Sequence, residues 1–323
     1  MKKINIIAVS VFVILIMATL SACTKKANQI NINNEKKKIN IVTTIFPEYD
    51  FVRQIAGDHA DLIMLLPPGA ESHSYEPTPQ DIIKIQDSDL FIYVGGDSDA
   101  WVADLLSSLE LDKKNIVTLM DCVEPVEEET VEGMQPEEDE EEEEAEGPEM
   151  DEHVWTSPKN AVLIVEKIRD ELCRIDPGNA QDYKKSSESY IEKLNQLDEE
   201  FKEVVEHAVR KEIIVGDRFP FRYFADAYGL DYYAAFPGCS TDTEASASTI
   251  AFLIDKVKED KIPVVFHIEL SNEQMCDSIC SATGAKKELL NAVHNVSKSD
   301  FESGVTYLDL MEHNAKVLKE ALN

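Results

Sequence analysis

Residues 178–211, GNAQDYKKSSESYIEKLNQLDEEFKEVVEHAVRK, are the stretch that decides the architecture of this chain. Pro177 and Gly178 mark its start, and its apolar side chains recur with the 3.6-residue period of one helix face. The recurring residues are Tyr190, Leu194, Leu197, Phe201, Val204 and Val205. A helix of about 34 residues at 1.5 Å per residue spans roughly 50 Å. The pattern therefore predicts one continuous linking helix over 177–211 that acts as a stiff strut.

Short β-branched runs alternate with helical stretches on both sides of this helix, which is typical of βα units and parallel sheets. Strands are predicted before the helix at 39–44, 61–66, 89–94 and 115–119. Strands are predicted after it at 212–216, 231–236, 263–269 and 287–291. Four strands on each side are enough for two α/β lobes with their own cores. We place an N-terminal lobe at 39–176 and a C-terminal lobe at 212–323.

The first residues have the form of a lipoprotein leader and are left out of the fold. Two lysines precede an almost wholly apolar run over 4–20, and Leu20-Ser21-Ala22-Cys23 has the form of a bacterial lipobox. We expect a signal peptide at 1–22, lipidation of Cys23 that anchors the chain stably to a membrane, and a flexible tether at 23–38. A plain transmembrane anchor is the less favoured alternative. The expected location is extracytoplasmic.

The charge balance is strongly acidic, with a formal net charge of -32. Residues 127–152 hold 16 Asp or Glu and no Lys or Arg, so one segment supplies half of the excess. This balance argues against nucleic acid as a partner and favours cations. Because the segment over about 124–152 is self-repelling and poor in apolar residues, we expect it to be a disordered insert of the first lobe. It is either a solubilising loop or a weak collector of cations.

The six cysteines indicate neither a zinc ribbon nor a fixed disulfide pattern. With Cys23 assigned to the lipid, an odd number remains, and the sequence does not determine their pairing. They are Cys122, Cys173, Cys239, Cys276 and Cys280. The last two lie four residues apart on a predicted helix, where small buried residues are favoured over a thiolate site.

Three histidines, His73, His153 and His294, each follow a predicted strand end. Ligands of open α/β sheets gather beyond the carboxyl ends of the strands, and neutral imidazole is the usual protein ligand of zinc. We therefore expect these three side chains to form a metal site. His267 and Glu269 share one face of a predicted strand and remain alternatives, whereas the other histidines fit surface positions.

Several motifs resemble the cluster A-I solute-binding proteins of ABC transporters, and most of all their zinc-uptake branch. The likeness covers essentially the whole mature chain. It rests on the opening strand Ile41 to Pro47, the loop Gly69 to Pro77, His153-Val154-Trp155 with Ser157-Pro158, the loop Gly238 to Ser246, and Gly304-Val305-Thr306-Tyr307 with Met311. The resemblance implies two (β/α)4 lobes, each with a mainly parallel sheet, joined by one long rigid α-helix, with the metal in the interlobe cleft. It also implies a monomer that binds zinc and delivers it to a membrane permease without catalysis.

Two departures from the family pattern concern the ligands. The family's third ligand is usually a histidine or a glutamate, and aligning Tyr223-Phe224 with its motif puts Arg218 at that place. Arginine has no lone pair for a metal, so we expect Asp217 or a water as fourth ligand, with Arg218 paired to a cleft carboxylate. The family's last ligand is usually an acid, and His294 occupies its place. Three histidines are thus kept, which favours zinc over manganese.

Other functions fit the sequence less well. A surface-tethered zinc hydrolase would also use three histidines and a water, but no H-E-x-x-H motif and no clear general base accompany them. An adhesin with an incidental metal would keep its function after the histidines are removed. Manganese stays possible because sets of nitrogen and oxygen ligands accept several ions.

Overall fold

The structure is a computed structural model that describes residues 38–109, 115–135, 149–240 and 244–323. The predicted leader at 1–22, Cys23 and all but the last residue of the tether lie outside these residues. No helix in the described part of the chain has the length and apolar character needed to cross a membrane.

The N-terminal lobe is built on a four-stranded parallel sheet. Its strands are β1 Ile39–Thr43, β2 Ala60–Met64, β3 Leu90–Tyr93 and β4 Ile116–Thr118. Their order is β2-β1-β3-β4, and Ile41 pairs with Leu62 on one side and with Leu90 on the other. Since the order reverses between β1 and β3, the carboxyl ends of these two strands border the crevice in which ligands of such sheets bind.

Helices connect and cover these strands. They are α1 Phe46–Ala56, α2 Pro79–Gln86, α3 Ala100–Leu109 and α4 Pro158–Ile175. A proline in the first turn starts α1, α2 and α4, where its fixed φ suits the helix and its missing N–H costs nothing. At α2, Thr78 and Asp81 also form a reciprocal capping box.

The linking helix α5 runs from Ala180 to Glu206. Its 27 residues span about 40 Å. The helix is shorter than the predicted range of 177–211 because Asn179 forms its N-cap and His207 forms its C-cap. The predicted apolar stripe is buried, including Leu194, Leu197 and Phe201.

The C-terminal lobe repeats the topology of the first. Its strands are β5 Glu212–Phe219, β6 Asp231–Pro237, β7 Val264–His267 and β8 Lys286–Leu289, all parallel in the order β6-β5-β7-β8. Its helices are α6 Arg222–Tyr228, α7 Ala247–Glu259, α8 Gln274–Thr283, α9 Lys298–Ser303 and α10 Tyr307–Ala321. The predicted fold class, two α/β lobes joined by one long helix, is confirmed. Strand β5 extends three residues beyond its predicted end, with a register irregularity between Val215 and Arg218.

One hydrophobic core crosses from the first lobe to the second along α5. It joins side chains of the N-terminal lobe such as Phe51 and Ile168 to those of the C-terminal lobe such as Phe224 and Leu318. A smaller core around Leu253 lies within the C-terminal lobe. The two lobes therefore share buried apolar surface, in addition to the chain connection between them.

The described ends of the acidic insert differ from the expectation of disorder over about 124–152. Residues 124–135 and 149–152 are described, and we call them the acidic arm. Glu127 and Met150 form an antiparallel bridge, and Met134 is buried. The backbone N–H of Gln135 donates to the carbonyl of Ala235 in β6, at 3.0 Å. Backbone hydrogen bonds and one buried methionine stabilise the arm against the second lobe, which the charge count does not reveal. Residues 136–148 lie outside the described part of the chain.

Candidate metal centre

The rings of His73, His153 and His294 converge in one cluster between the two sheets. Their ring centroids lie 4.9–5.6 Å apart. One ring nitrogen of each lies within 4.8 Å of a ring nitrogen of the other two. The fold thus brings together the three histidines that the sequence singled out.

His73 lies in the loop between β2 and α2. Pro67 and Pro68 stiffen this loop, and Gly69 adopts a φ of 86° that favours glycine. The backbone N–H of Gly69 donates to the carbonyl of Val296 at 2.8 Å. The loop that carries His73 is therefore fixed to the segment that carries His294.

His153 is fully buried at the end of the acidic arm, directly before the turn that leads into α4. Its ring packs edge-on against Trp155, whose own ring also contacts His294, with centroid distances of 5.5 and 5.4 Å. The indole N–H of Trp155 donates to the carbonyl of Ala292 at 2.7 Å. One tryptophan of the first lobe therefore orients two ligand candidates, one from each lobe.

His294 follows β8 in a loop with an unusual backbone. Val293 has a φ of 66°, a left-handed conformation that is rare for a β-branched residue. The turn points the N–H groups of Ala292 and His294 at one carboxylate, that of Glu269, at 2.7 and 2.8 Å. Backbone strain at this point is thus part of what positions His294.

Each of the three histidines has its Nδ1 atom beside a carboxylate. His73 Nδ1 lies 3.2 Å from Glu71, His153 Nδ1 lies 3.1 Å from Asp151, and His294 Nδ1 lies 3.3 Å from Glu269. Such a partner keeps the proton on Nδ1 and leaves the lone pair on Nε2, as in carboxylate–histidine–zinc arrangements.

The three Nε2 atoms are buried and have no hydrogen-bond partner. A buried polar atom without a partner is costly and calls for a ligand. A zinc ion about 2.0–2.1 Å from each nitrogen would satisfy all three.

The electrostatics of the site keep two of the rings neutral. Burial lowers the pKa of His294 well below its ordinary value, with the charges of His153 and Arg218 acting in the same direction. Burial and the charges of His294 and Arg218 lower the pKa of His73 to about 2. Burial also lowers the pKa of His153, but Asp151 and its neighbouring carboxylates overcome this and raise it. Two lone pairs are therefore available for an ion at neutral pH without loss of a proton.

The sequence-based candidates for a fourth ligand, Asp217, His267 and Glu269, each have a hydrogen-bond partner of their own. Asp217 accepts a hydrogen bond from the backbone N–H of Arg218 at 2.9 Å. His267 Nδ1 lies 3.1 Å from the carbonyl of Ile268. Glu269 is occupied by His294 and its loop. Among the described residues, none of these three offers a ligand atom that lies within 4.8 Å of the ligand atoms of all three histidines.

Glu152 is a residue that the sequence reasoning missed. Its side chain is 3% exposed, and its Oε1 lies 3.8 Å from His73 Nε2. The backbone N–H and the hydroxyl of Ser98 donate to its two oxygens. The sequence does carry a signal for Glu152. Glu71 and Asp151 each stand two residues before a ligand histidine, and Glu152 lies between Asp151 and His153.

The described cysteines are all free thiols. Cys239 lies near the site, with its sulfur within 4.8 Å of ligand atoms of Glu152 and His153. Cys276 is buried, as the sequence favoured, whereas its neighbour Cys280 is half-buried.

Known proteins resemble this chain in sequence and in fold. The family model described as zinc-uptake complex component A, periplasmic (ZnuA) matches residues 41–321. The chain is 35% identical over 306 residues to the high-affinity zinc uptake system protein ZnuA of Bacillus subtilis, covering 94% of this chain and 93% of that protein.

The chain is also 34% identical over 325 residues to the zinc-binding lipoprotein AdcA of Streptococcus pneumoniae. This match covers 99% of the chain but 61% of AdcA, so the chain spans about three fifths of that relative. The crystal structure of the Zn(II)-bound ZnuA-like domain of the same AdcA superposes with a TM-score of 0.73 at 32% identity, covering 88% of this chain and 99% of that domain.

Proposed function

The chain belongs to the family of periplasmic zinc-uptake components, and from this membership we propose that it captures a zinc ion outside the cytoplasm and delivers it to the permease of an ABC transporter. The observation that carries the proposal is the set of three buried Nε2 atoms without partners, each on a ring whose Nδ1 faces a carboxylate. This geometry suits binding of a metal ion, because a carboxylate already orients each histidine ring.

The ion is held by His73, His153 and His294. The fourth position is taken by Glu152 or a water, since Glu152 has a carboxylate oxygen 3.8 Å from a free Nε2. Asp217 is the alternative that the sequence offers, and its Oδ1 accepts a hydrogen bond from the backbone N–H of Arg218. A set of three imidazoles with one oxygen suits zinc in tetrahedral geometry, and manganese is the competitor that the test must include.

Capture outside the cytoplasm requires that the chain stay near its permease. A lipid on Cys23, which lies outside the described residues, would hold it at the membrane surface. The relative AdcA of Streptococcus pneumoniae is named a lipoprotein. Retention of the chain in the membrane fraction, and its release when Cys23 is replaced by alanine, would support the anchor.

The experiment uses the full-length chain purified in detergent. Metal analysis is followed by competitive titration with zinc and manganese against a chromogenic chelator. We expect one tight zinc equivalent, and we expect His73→Ala, His153→Ala and His294→Ala each to weaken it at least about a hundredfold, because each removes a direct ligand.

The matched control is His207→Ala. His207 is exposed and its Nδ1 lies 2.8 Å from the carbonyl of Glu203 on the surface. Zinc affinity should be unchanged in this variant. Absence of a tight site in the unaltered chain, or tight binding of manganese alone, would refute the proposal.

A further inference from the structure

Arg218 lies at the edge of the metal centre, where no cation is needed to hold zinc. It stands on β5 of the C-terminal lobe, and its side chain is 12% exposed. Its Nη1 donates to Glu71 Oε1 at 3.0 Å and to the carbonyl of Ser240 at 3.2 Å. Glu71 belongs to the N-terminal lobe, so this ion pair bridges the cleft beside the histidines.

The carboxylate that Arg218 binds also serves a metal ligand. Glu71 Oε1 lies 3.2 Å from His73 Nδ1, and Glu71 Oε2 accepts from the backbone N–H of Ser74 at 2.9 Å. A carboxylate behind a ligand histidine raises the basicity of the ring and strengthens its bond to the ion. Because Arg218 shares the same oxygen, it withdraws part of that negative charge from His73.

We propose that Arg218 is a positioning residue that acts through Glu71 to limit zinc affinity and speed zinc release to the permease. This role rests on the proposed function and adds to it a means of releasing the zinc ion. A carrier has to give its ion up, and three oriented histidines surrounded by buried carboxylates would otherwise hold it too long. A fixed positive charge opposes the incoming cation and offsets the charge of Glu71.

A merely structural role is the alternative, and the structure offers little need for it. Other hydrogen bonds already tie the two lobes together beside the site. The amide of Asn295 donates to the carbonyls of Pro67 and Ala70 at 2.8 and 2.9 Å. The hydroxyl of Tyr307 donates to the carbonyl of Trp155 at 2.8 Å. His294 therefore reaches His73 without help from Arg218.

The experiment measures zinc affinity by chelator competition and zinc release by stopped flow after addition of excess chelator. Arg218→Met removes the charge and keeps most of the side-chain volume. We expect it to tighten binding about tenfold and slow release by a similar factor, since it frees Glu71 for His73. Arg218→Lys should behave like the unaltered chain, because the side-chain hydrogen bonds to Glu71 and Ser240 come from one nitrogen, which an ammonium group can replace.

The companion variants separate charge from packing. Glu71→Gln leaves Arg218 uncompensated and should weaken zinc binding about ten- to a hundredfold. The double variant Glu71→Gln/Arg218→Met has neither charge and should regain most of that loss. If Arg218 acts by packing alone, the double variant will instead be the weakest binder.

Arg53→Met is the matched control. Arg53 also links the lobes, through a hydrogen bond to the carbonyl of Val305 at 2.6 Å, but it lies in the last turn of α1, whereas the first residue of that helix is the one bonded to His294. It should lower thermal stability and leave zinc affinity unchanged. Weaker or unchanged zinc binding in Arg218→Met at normal stability would overturn the inference while leaving zinc capture intact. Failure of zinc to bind to the unaltered chain would instead refute the proposed function.

Discussion

At the scale of single residues, the metal centre depends on which ring nitrogen each histidine keeps free. Two of the three orienting carboxylates are local, because Glu71 and Asp151 each stand two residues before the histidine they contact. The third, Glu269, stands 25 residues before His294. The residue two before His294 is Ala292, which has no carboxylate, so the segment after β7 supplies the acid.

Asp99 is another buried carboxylate near this site, and its environment favours the neutral form. Burial raises its pKa to about 7, against the opposing effect of hydrogen bonds from the backbone N–H groups of Val94 and Gly95. When a folded-state pKa is raised, the native state holds more protons than the unfolded state between the two pKa values. The contribution of Asp99 to the free energy of unfolding therefore falls as the pH rises from about 4 to about 7.

Asp99→Asn should remove this dependence. The amide oxygen can still accept from the N–H groups of Val94 and Gly95, which lie 2.8 and 3.3 Å from the aspartate oxygen. At pH 8 the variant should be more stable by about 2–4 kcal/mol, and at pH 4 the two chains should be alike. Urea unfolding across this pH range checks the difference. Equal stability at both pH values would show that Asp99 is not the group responsible.

At the scale of secondary-structure elements, hydrogen bonds attach the acidic arm to the C-terminal lobe. The hydroxyl of Tyr223 in α6 accepts from the backbone N–H of Val126 at 3.1 Å, and the side chain of Gln135 accepts from the N–H of Ser246 at 2.7 Å. Glu128 accepts from the backbone N–H of Cys239 at 3.0 Å. An arm that starts in the first lobe thus ends against the second, and it leads directly to His153.

Gly133 fixes the tip of the described arm against α7. Its φ is 85°, and a Cβ atom there would lie within 2.6 Å of three atoms of the Phe252 ring. Gly133→Ala should therefore destabilise docking of the arm by about 1–3 kcal/mol and speed amide exchange over 124–135. Hydrogen exchange with mass spectrometry measures this.

Gly284→Ala is the control that distinguishes the steric clash at Gly133 from the strain of a positive φ. Gly284 has a φ of 81° but open space where a Cβ would stand. It shares the conformational penalty of Gly133 without the clash. Faster exchange of the arm in Gly133→Ala but not in Gly284→Ala would assign the effect to the contact with Phe252. Equal exchange of the arm in Gly133→Ala and the unaltered chain would contradict the docking.

At the scale of the whole molecule, the two lobes share one core, and α5 lies within it. Helix α1 of the first lobe also caps the start of α10 in the second, because Asp50 accepts from the backbone N–H of Tyr307 at 2.7 Å. A cleft between bodies joined in this way has little freedom to open by a hinge. Release of an ion from it would then depend on local charge at the site.

Leu194→Ala tests this shared core. Leu194 is fully buried on α5, and its truncation should cost about 2–5 kcal/mol. Amide protection in both β1 and β5 should fall together, since the core spans both lobes. Ile191→Ala, a half-buried neighbour on the same helix, should cost clearly less. Loss of protection in one lobe alone would mean that the lobes unfold independently.

Local patterns in the sequence are enough to predict much of the architecture. Eight strands and the linking helix follow from β-branched runs and a 3.6-residue stripe, because side-chain periodicity reports which faces are buried. The three histidines follow from their place after strand ends. These features need no knowledge of distant contacts, and the structure brings all three rings together.

Contacts between residues far apart in the chain become visible only in the folded structure. Arg218 meets Glu71 across 147 positions, and Glu152 meets Ser98 across 54. Partnerships of this kind leave no periodic trace, so the sequence proposes Asp217 for the fourth position and does not single out Glu152. The acidic arm shows the same limit. Its charges predicted disorder, yet a few hydrogen bonds and the buried side chain of Met134 hold it, since a docked segment is stabilised by the surface it meets rather than by its own composition.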